Sequence, residues 1–122
     1  ASGGEMSRIM LAIKSIMAKY KKLPSIIFDE IDTGVSGEIS KKMGFIMKDL
    51  GEKIQTFSIT HLPQIAAMGE SHFKIYKSDV DGITKTMISR LNENDRIIEI
   101  AKMLEGNNAS KSAYTHAKQL LN

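Results

Sequence analysis

The chain has 122 residues, 17 Lys and Arg against 14 Asp and Glu for a formal charge of +3, no cysteine, no tryptophan, and only four Phe and three Tyr. That is one ordinary domain at most, with no disulfide scaffold, thiolate nucleophile or Cys-ligated zinc or iron–sulfur centre. No run approaches the roughly 18 apolar residues of a membrane span, and Ala1 to Glu5 lacks the basic start and apolar stretch of a secretory signal, which gives a cytoplasmic reading and no membrane partner. The small positive surplus is interspersed with acids and by itself decides nothing about nucleic acid.

From Gly4 onward, Met6, Ile9, Met10, Ile13, Met17 and Tyr20 step by threes and fours and predict an amphipathic helix with that stripe as its core face and Ser2 as its cap. Lys19, Lys21 and Lys22 suit the negative end of its dipole, and Pro24 closes it off. Ser25 to Phe28 reads as a strand buried on both faces, ending in Asp29-Glu30. After a Gly/Ser-rich turn over 32–37, the spacing of Ile39, Met43, Ile46 and Leu50 predicts a second helix that closes near Gly51. A second buried strand over 56–60 stops at His61, and Pro63 opens a short helical stretch that runs to Gly69. Strand, helix, strand is the parallel crossover unit. Residues 72–77 and 83–89 alternate around Asp81-Gly82, which predicts an antiparallel hairpin. Two helices, over about 95–104 and 112–121, finish the chain, with Gly106-Asn107-Asn108 between them. The fold class is α/β: a mainly parallel core, an antiparallel hairpin and about four helices.

Three clusters lie at strand ends or helix starts, where α/β sheets place ligands. Ser2-Gly3-Gly4-Glu5 puts two glycines and a hydroxyl at a helix N-terminus, whose N–H groups and dipole can receive a phosphate. Asp29-Glu30 ends an apolar strand in adjacent carboxylates, one suited to a Mg²⁺ shell and the next to orienting or deprotonating a water. Ser58-Ile59-Thr60-His61 leaves a lone histidine at the end of the neighbouring strand. Each alone has a plain structural alternative: a turn, a solvated strand end, an exposed histidine.

In this order and at these spacings the clusters resemble the second half of an ATP-binding-cassette ATPase head, with its signature, Walker B and switch-histidine motifs in succession. The fuller strings 1–12 (ASGGEMSRIMLA), 28–37 (FDEIDTGVSG) and 59–68 (ITHLPQIAAM) look like those of the SMC-like DNA-repair ATPases of bacteria. The likeness continues through Arg96, Ala101 to Leu104, Gly106, His116-Ala117 and Leu120-Leu121, and so covers essentially the whole chain.

The resemblance implies roles residue by residue. Ser2, Gly3 and Gly4, with Glu5 beside them, would touch the γ-phosphate of a nucleotide held by an opposing head. Asp29 would sit in the Mg²⁺ shell through water, Glu30 would polarise the attacking water, and His61 would contact the γ-phosphate. Thr33 to Ser36 would form the D-loop across the dimer interface, with Asp32, Ser36 and Gln64 close to the nucleotide. Ala1 and Glu5 stand where transporter heads have leucine and glutamine, which argues against a transporter.

A P-loop needs a Gly-Lys dipeptide, and none occurs here. The chain is therefore expected to be one partial domain, residues 1–122, from the C-terminal part of a head, inactive alone and completed by a P-loop lobe and a coiled coil lying outside it. The implied cofactors are ATP and Mg²⁺. The implied partners are a second head, engaged head to head through ATP, the N-terminal P-loop lobe, and DNA in a longer protein that acts at the bacterial nucleoid in double-strand break repair and recombination. The rival readings are a non-catalytic dimerisation or regulatory lobe and a head of another ATPase of this superfamily. Buried strands that normally lie between other layers imply some uncovered apolar surface. The eight methionines read as gap-filling core, and Lys21-Lys22 and Lys41-Lys42 as ordinary surface pairs rather than phosphate contacts.

Overall fold

The computed structural model describes residues 3–122. They fall into two compact units, the first ending at Met68 and the second running from Gly69 to Asn122.

The first unit contains helix α1 (Gly3–Tyr20), strand β1 (Ser25–Asp29), helix α2 (Gly37–Gly51), strand β2 (Gln55–Ile59) and the one-turn helix α3 (Pro63–Ala66). β1 and β2 pair in parallel, Ser25 opposite Gln55 through Asp29 opposite Ile59, and α2 is the crossover between them. Parallel neighbours require such a crossover because a tight turn cannot reverse the chain twice. Both strands therefore end at one edge of the sheet. Leu11 and Ala18 of α1, Phe28 of β1, Met43, Met47 and Leu50 of α2, and Ile65 of α3 form the core with Val35 and Ile54.

Helix α1 forms as expected but buries a different face. Ser7, Leu11 and Ala18 are its buried residues, while Met6, Ile9, Met10, Ile13, Met17 and Tyr20 are all exposed, Tyr20 at 85%. Periodicity fixes how wide an apolar stripe is, and tertiary packing chooses the face; here the small Ala18 and Ser7 allow the close approach that methionines would prevent. Its end is a Schellman motif: the Leu23 amide donates to the Ala18 carbonyl at 3.0 Å and the Lys22 amide to the Lys19 carbonyl at 3.3 Å, with Lys22 at φ +52.

The strands are likewise covered on one face only. Phe28 is fully buried and Ile26 packs on the core, whereas Ile27 is 59% exposed, and Phe57, opposite it in register, 47%. Side chains alternate along a strand, so the helices on one face close over Ile26 and Phe28 and leave Ile27, Phe57 and Ile59 outside. In α2 the buried set is Ser40, Met43, Gly44, Met47 and Leu50, and the expected core residue Ile46 is exposed. Of the methionines, only Met43 and Met47 are buried; Met6, Met10, Met17 and Met87 are exposed, so the core assignment fails for half of them.

The second unit contains strands β3 (Phe73–Val80) and β4 (Ile83–Arg90) and helices α4 (Glu93–Glu105) and α5 (Lys111–Leu121). The strands pair antiparallel, Phe73 opposite Arg90 through Val80 opposite Ile83. Asp81 and Gly82 both have positive φ, +53 and +75, the signature of the tight hairpin turn whose twist matches the strands. The hairpin runs past the predicted Lys77 because the Thr84 hydroxyl donates to the Asp79 carboxylate across the pair, which suits a residue type otherwise poor in strands. Asn92 caps α4 by accepting from the Asp95 amide at 2.8 Å, which starts the helix two residues before the predicted Asp95. Ser110 caps α5 by accepting from the Ala113 amide, and the Glu105 carboxylate accepts from the Ser110 amide at 3.0 Å. Hydrogen bonds from the Ser110 amide, first, and from the Ser110 side chain hold the Glu105 carboxyl below its usual value. Ile100, Ala101, Ala113 and Ala117 are the buried residues of the two helices.

Candidate functional site

The three sequence clusters converge in the first unit, around the turn that follows β1. Glu30, the first residue beyond the strand, adopts φ +50, a left-handed conformation uncommon outside glycine, asparagine and aspartate. Its amide donates to the Ile59 carbonyl at 2.9 Å, which extends the ladder by one bond and fixes where the turn departs. The Thr33 hydroxyl returns to the Glu30 carbonyl at 2.8 Å, and the Val35 amide reaches the Asp32 carbonyl at 3.1 Å. The turn is held by its own backbone and hydroxyls, and the Asp29 and Glu30 side chains stay exposed at the C-terminal edge of the sheet.

The start of α1 rests on this turn. The buried Ser7 hydroxyl donates to the Thr33 carbonyl at 2.7 Å and lies 3.0 Å from the carbonyl of Gly3. Gly34, at φ +79, faces the same place: a Cβ there would lie 3.3 Å from the Gly3 carbonyl carbon and from the Gly4 nitrogen. Glycines at 4 and 34 thus let two backbone segments meet with nothing between them. Ser2 lies outside the described residues.

The second turn carries His61. The Thr60 hydroxyl donates to the Asp32 carboxylate through Oδ2 and accepts from the Leu62 amide at 3.0 Å. His61 is exposed between those two anchored residues. Gln64 follows on α3, which seats close against α2 at Gly44, where a Cβ would stand 3.0 Å from the Met68 side chain and 3.5 Å from the Gln64 carbonyl. Gln64 is half-buried there, and Ser36 is exposed at the cap of α2.

Asp32, which the resemblance put close to the nucleotide, lies inside the turn. It is 1% exposed, its Oδ1 has no hydrogen-bond partner, and its carboxylate faces Thr60 rather than solvent. Ser7 and Thr60 join these segments without any signal in residue type or spacing that marks them. Ser7 lies on the face of α1 that the apolar stripe does not mark, and Thr60 reads only as the last residue of a strand.

No group of three or more His, Cys, Asp or Glu side chains among the described residues can hold a metal ion by itself. The exposed carboxylate of Asp29 fits a Mg²⁺ ion reached through water and held mainly by phosphate oxygens, the mode in which this strongly hydrated ion usually binds.

In the second unit, His72 is half-buried and its Nδ1 has no hydrogen-bond partner. Burial pushes its pKa below 6.5, Arg96 adds to the shift, and Glu99 opposes it. Burial also lowers the Arg96 pKa, and its guanidinium donates to the Gly69 carbonyl. Glu99 pairs with Lys74 at 2.9 Å.

A parallel pair with a helical crossover, a glycine-led helix start seated on the turn after the first strand, and a hairpin followed by two helices together define the C-terminal lobe of an SMC-type ATPase head. A solved structure from work on ATP-driven dimerization and DNA-stimulated activation of SMC ATPases matches 81% of this chain and 60% of its own, with a TM-score of 0.61 at 27% identity. Over nearly its whole length the chain is similar to bacterial DNA-repair proteins of the RecN type. It is 44% identical to DNA repair protein RecN of Xylella fastidiosa (strain 9a5c) over 121 residues, 99% of this chain and 22% of that protein. The RecN of Bacillus subtilis (strain 168) is also 44% identical, over 99% of this chain and 21% of its own length, and that of Vibrio cholerae 41% over 99% and 22%. The chain thus spans about a fifth of the length of these relatives. No protein-family model matches it. Among the described residues no helix is long and apolar enough to cross a membrane.

Proposed function

We propose that this chain is the C-terminal part of an ATPase head that binds ATP with Mg²⁺ at composite sites between two heads. In each site one subunit contributes a P-loop lobe and the Asp29-Glu30 edge, and the other contributes Ser2, Gly3 and Gly4, with Glu5 beside them. Engagement on ATP and release after hydrolysis would then serve DNA double-strand break repair and recombination in the bacterial nucleoid. The observation that carries this reading is the seating of the Gly3-Gly4 helix start on the Gly34 turn, which sets the glycine cluster beside the segment that would cross to the opposing head.

Each residue's part follows from its position. The first N–H groups of an α-helix have no intrahelical acceptor and carry partial positive charge, so the backbone at Gly3 and Gly4 suits a phosphate oxygen. Asp29 would hold Mg²⁺ through water; the ion supplies neutralisation of charge on the transferred phosphoryl group. Glu30, exposed beside it and fixed by the Ile59 carbonyl, would accept a hydrogen bond from the attacking water and orient it in line. His61 would donate to the γ-phosphate from the neighbouring strand end. Asp32 supports the turn from within, and Thr33 to Ser36 and Gln64 flank the nucleotide.

The test is ATP hydrolysis by this chain co-expressed with a P-loop-bearing lobe, by this chain alone, and by both with Glu30→Gln. Turnover is expected only in the complex, with a loss of about 100-fold or more in the Glu30→Gln form. Equal turnover by the Glu30→Gln complex overturns the catalytic reading, and a well-folded complex without turnover moves the lobe to a dimerisation or regulatory role.

A further inference from the structure

The turns that carry Glu30 and His61 are separate in sequence, and beyond the backbone bond from the Glu30 amide to the Ile59 carbonyl a side-chain hydroxyl joins them. We propose that Thr60 is a positioning residue that locks the Glu30 turn and the His61 turn into a single rigid unit, acting through Asp32; the inference rests on the composite-site reading above. A threonine hydroxyl has one proton to give. At Thr60 that proton goes to the Asp32 carboxylate, and the oxygen's lone pairs receive the Leu62 amide at 3.0 Å. Asp32 belongs to the turn whose other bonds are Thr33 to the Glu30 carbonyl and Val35 to the Asp32 carbonyl. A displacement of Glu30 is therefore passed through Asp32 to Thr60 and on to Leu62, the residue after His61.

Three features favour a lock over ordinary packing. Asp32 is 1% exposed, and a buried carboxylate is costly unless it is hydrogen-bonded, so its bond to Thr60 is hard to give up. Asp32 Oδ1 has no second partner, which leaves Thr60 as the side chain that satisfies this carboxylate. The left-handed backbone of Glu30 persists only where the surroundings over-determine it, and this network is what surrounds it.

The experiment compares Thr60→Val, which keeps the shape and deletes the hydroxyl, with Thr60→Ser, which keeps the hydroxyl, in the complex of this chain with the P-loop-bearing lobe. Thr60→Val is expected to lower kcat about 10- to 100-fold, the scale of small misplacements of catalytic groups, while the KM for ATP stays within about twofold and Thr60→Ser restores most of the rate. Native kcat in Thr60→Val, or a rise in KM in place of a fall in kcat, overturns the proposal. Amide hydrogen exchange in this chain without nucleotide gives a second readout: Thr60→Val should lose protection at Leu62 and Glu30 together. Loss at Leu62 alone, or at neither, also overturns it. This second readout does not depend on catalysis, so failure of the ATPase reading, seen as native turnover in Glu30→Gln, is distinguishable from failure of the lock.

Discussion

Gly34 stands so close to Gly4 that a methyl group built on it would lie 3.3 Å from the Gly4 nitrogen, and one built on Gly4 would lie 3.1 Å from the Gly34 carbonyl oxygen. Two backbones in this relation leave no room for a side chain between them. The helix start that would receive a phosphate thus rests directly on the turn behind Glu30, and Ser7 adds a hydrogen bond across the same junction.

Gly34→Ala should therefore do two kinds of harm. Its φ of +79 strains any side chain, and the added Cβ meets rigid backbone instead of a side chain that could swing away. The expected loss is about 1–3 kcal/mol, read as a lower urea midpoint for this chain, with chemical-shift changes at Gly3 and Gly4 as well as around position 34. An unchanged midpoint would mean that the junction is looser than the structure has it.

Lys22→Gly should act in the opposite direction. Lys22 occupies the left-handed position of the Schellman turn at φ +52, where glycine carries no Cβ penalty. Removing that penalty should stabilise the first unit by up to about 1 kcal/mol, less the backbone entropy that glycine brings. Thermal unfolding of the two forms side by side decides it, and a lower Tm for the glycine form would refute it.

The secondary structure was legible in the sequence because its signals are local. Pro24, Pro63, Asp81-Gly82 and the three-and-four spacing of α1 each act over a few residues, and each element appears within a few residues of its expected bounds. Which face of α1 is buried was not legible, since Met6 and Leu11 are equally apolar and only the partner surface chooses between them. The same holds for β1, where a continuous apolar run reads as doubly buried although one face is open at Ile27. Of the candidate site, the residues that display functional groups stood out by type and order. The residues that join them, Ser7, Gly34 and Thr60, act through contacts distant in sequence, 26 residues from Ser7 to Thr33 and 28 from Asp32 to Thr60. A hydroxyl in such a place carries no local signature.

The Lys74–Glu99 pair tests how much an ion pair between hairpin and helix contributes. Its atoms are 2.9 Å apart and the side chains are 34% and 20% exposed, so solvent screens much of the attraction. A double-mutant cycle with Lys74→Met and Glu99→Gln should give a coupling of about 0.2–1 kcal/mol that shrinks in high salt. Zero coupling would make the contact incidental.

His72 should make the second unit sensitive to acid. Burial first, and Arg96 second, lower its pKa below 6.5, against the opposing pull of Glu99, whose charge is shared with Lys74. The folded state thus takes up a proton less readily than the unfolded chain, whose histidine titrates near 6.5. The sign follows from linkage: where the unfolded state binds more protons, stability rises with pH. The contribution of His72 is fully present above 6.5 and is lost as pH falls from there through the lower folded value. His72→Gln removes the titration and keeps a polar group of similar size, so its stability should fall less steeply with acid than that of the parent chain. Urea midpoints measured from about pH 8 down to about pH 5, across the range in which histidine changes charge, give the comparison. Parallel curves for the two forms would mean that His72 is as easily protonated in the folded state as in the unfolded one.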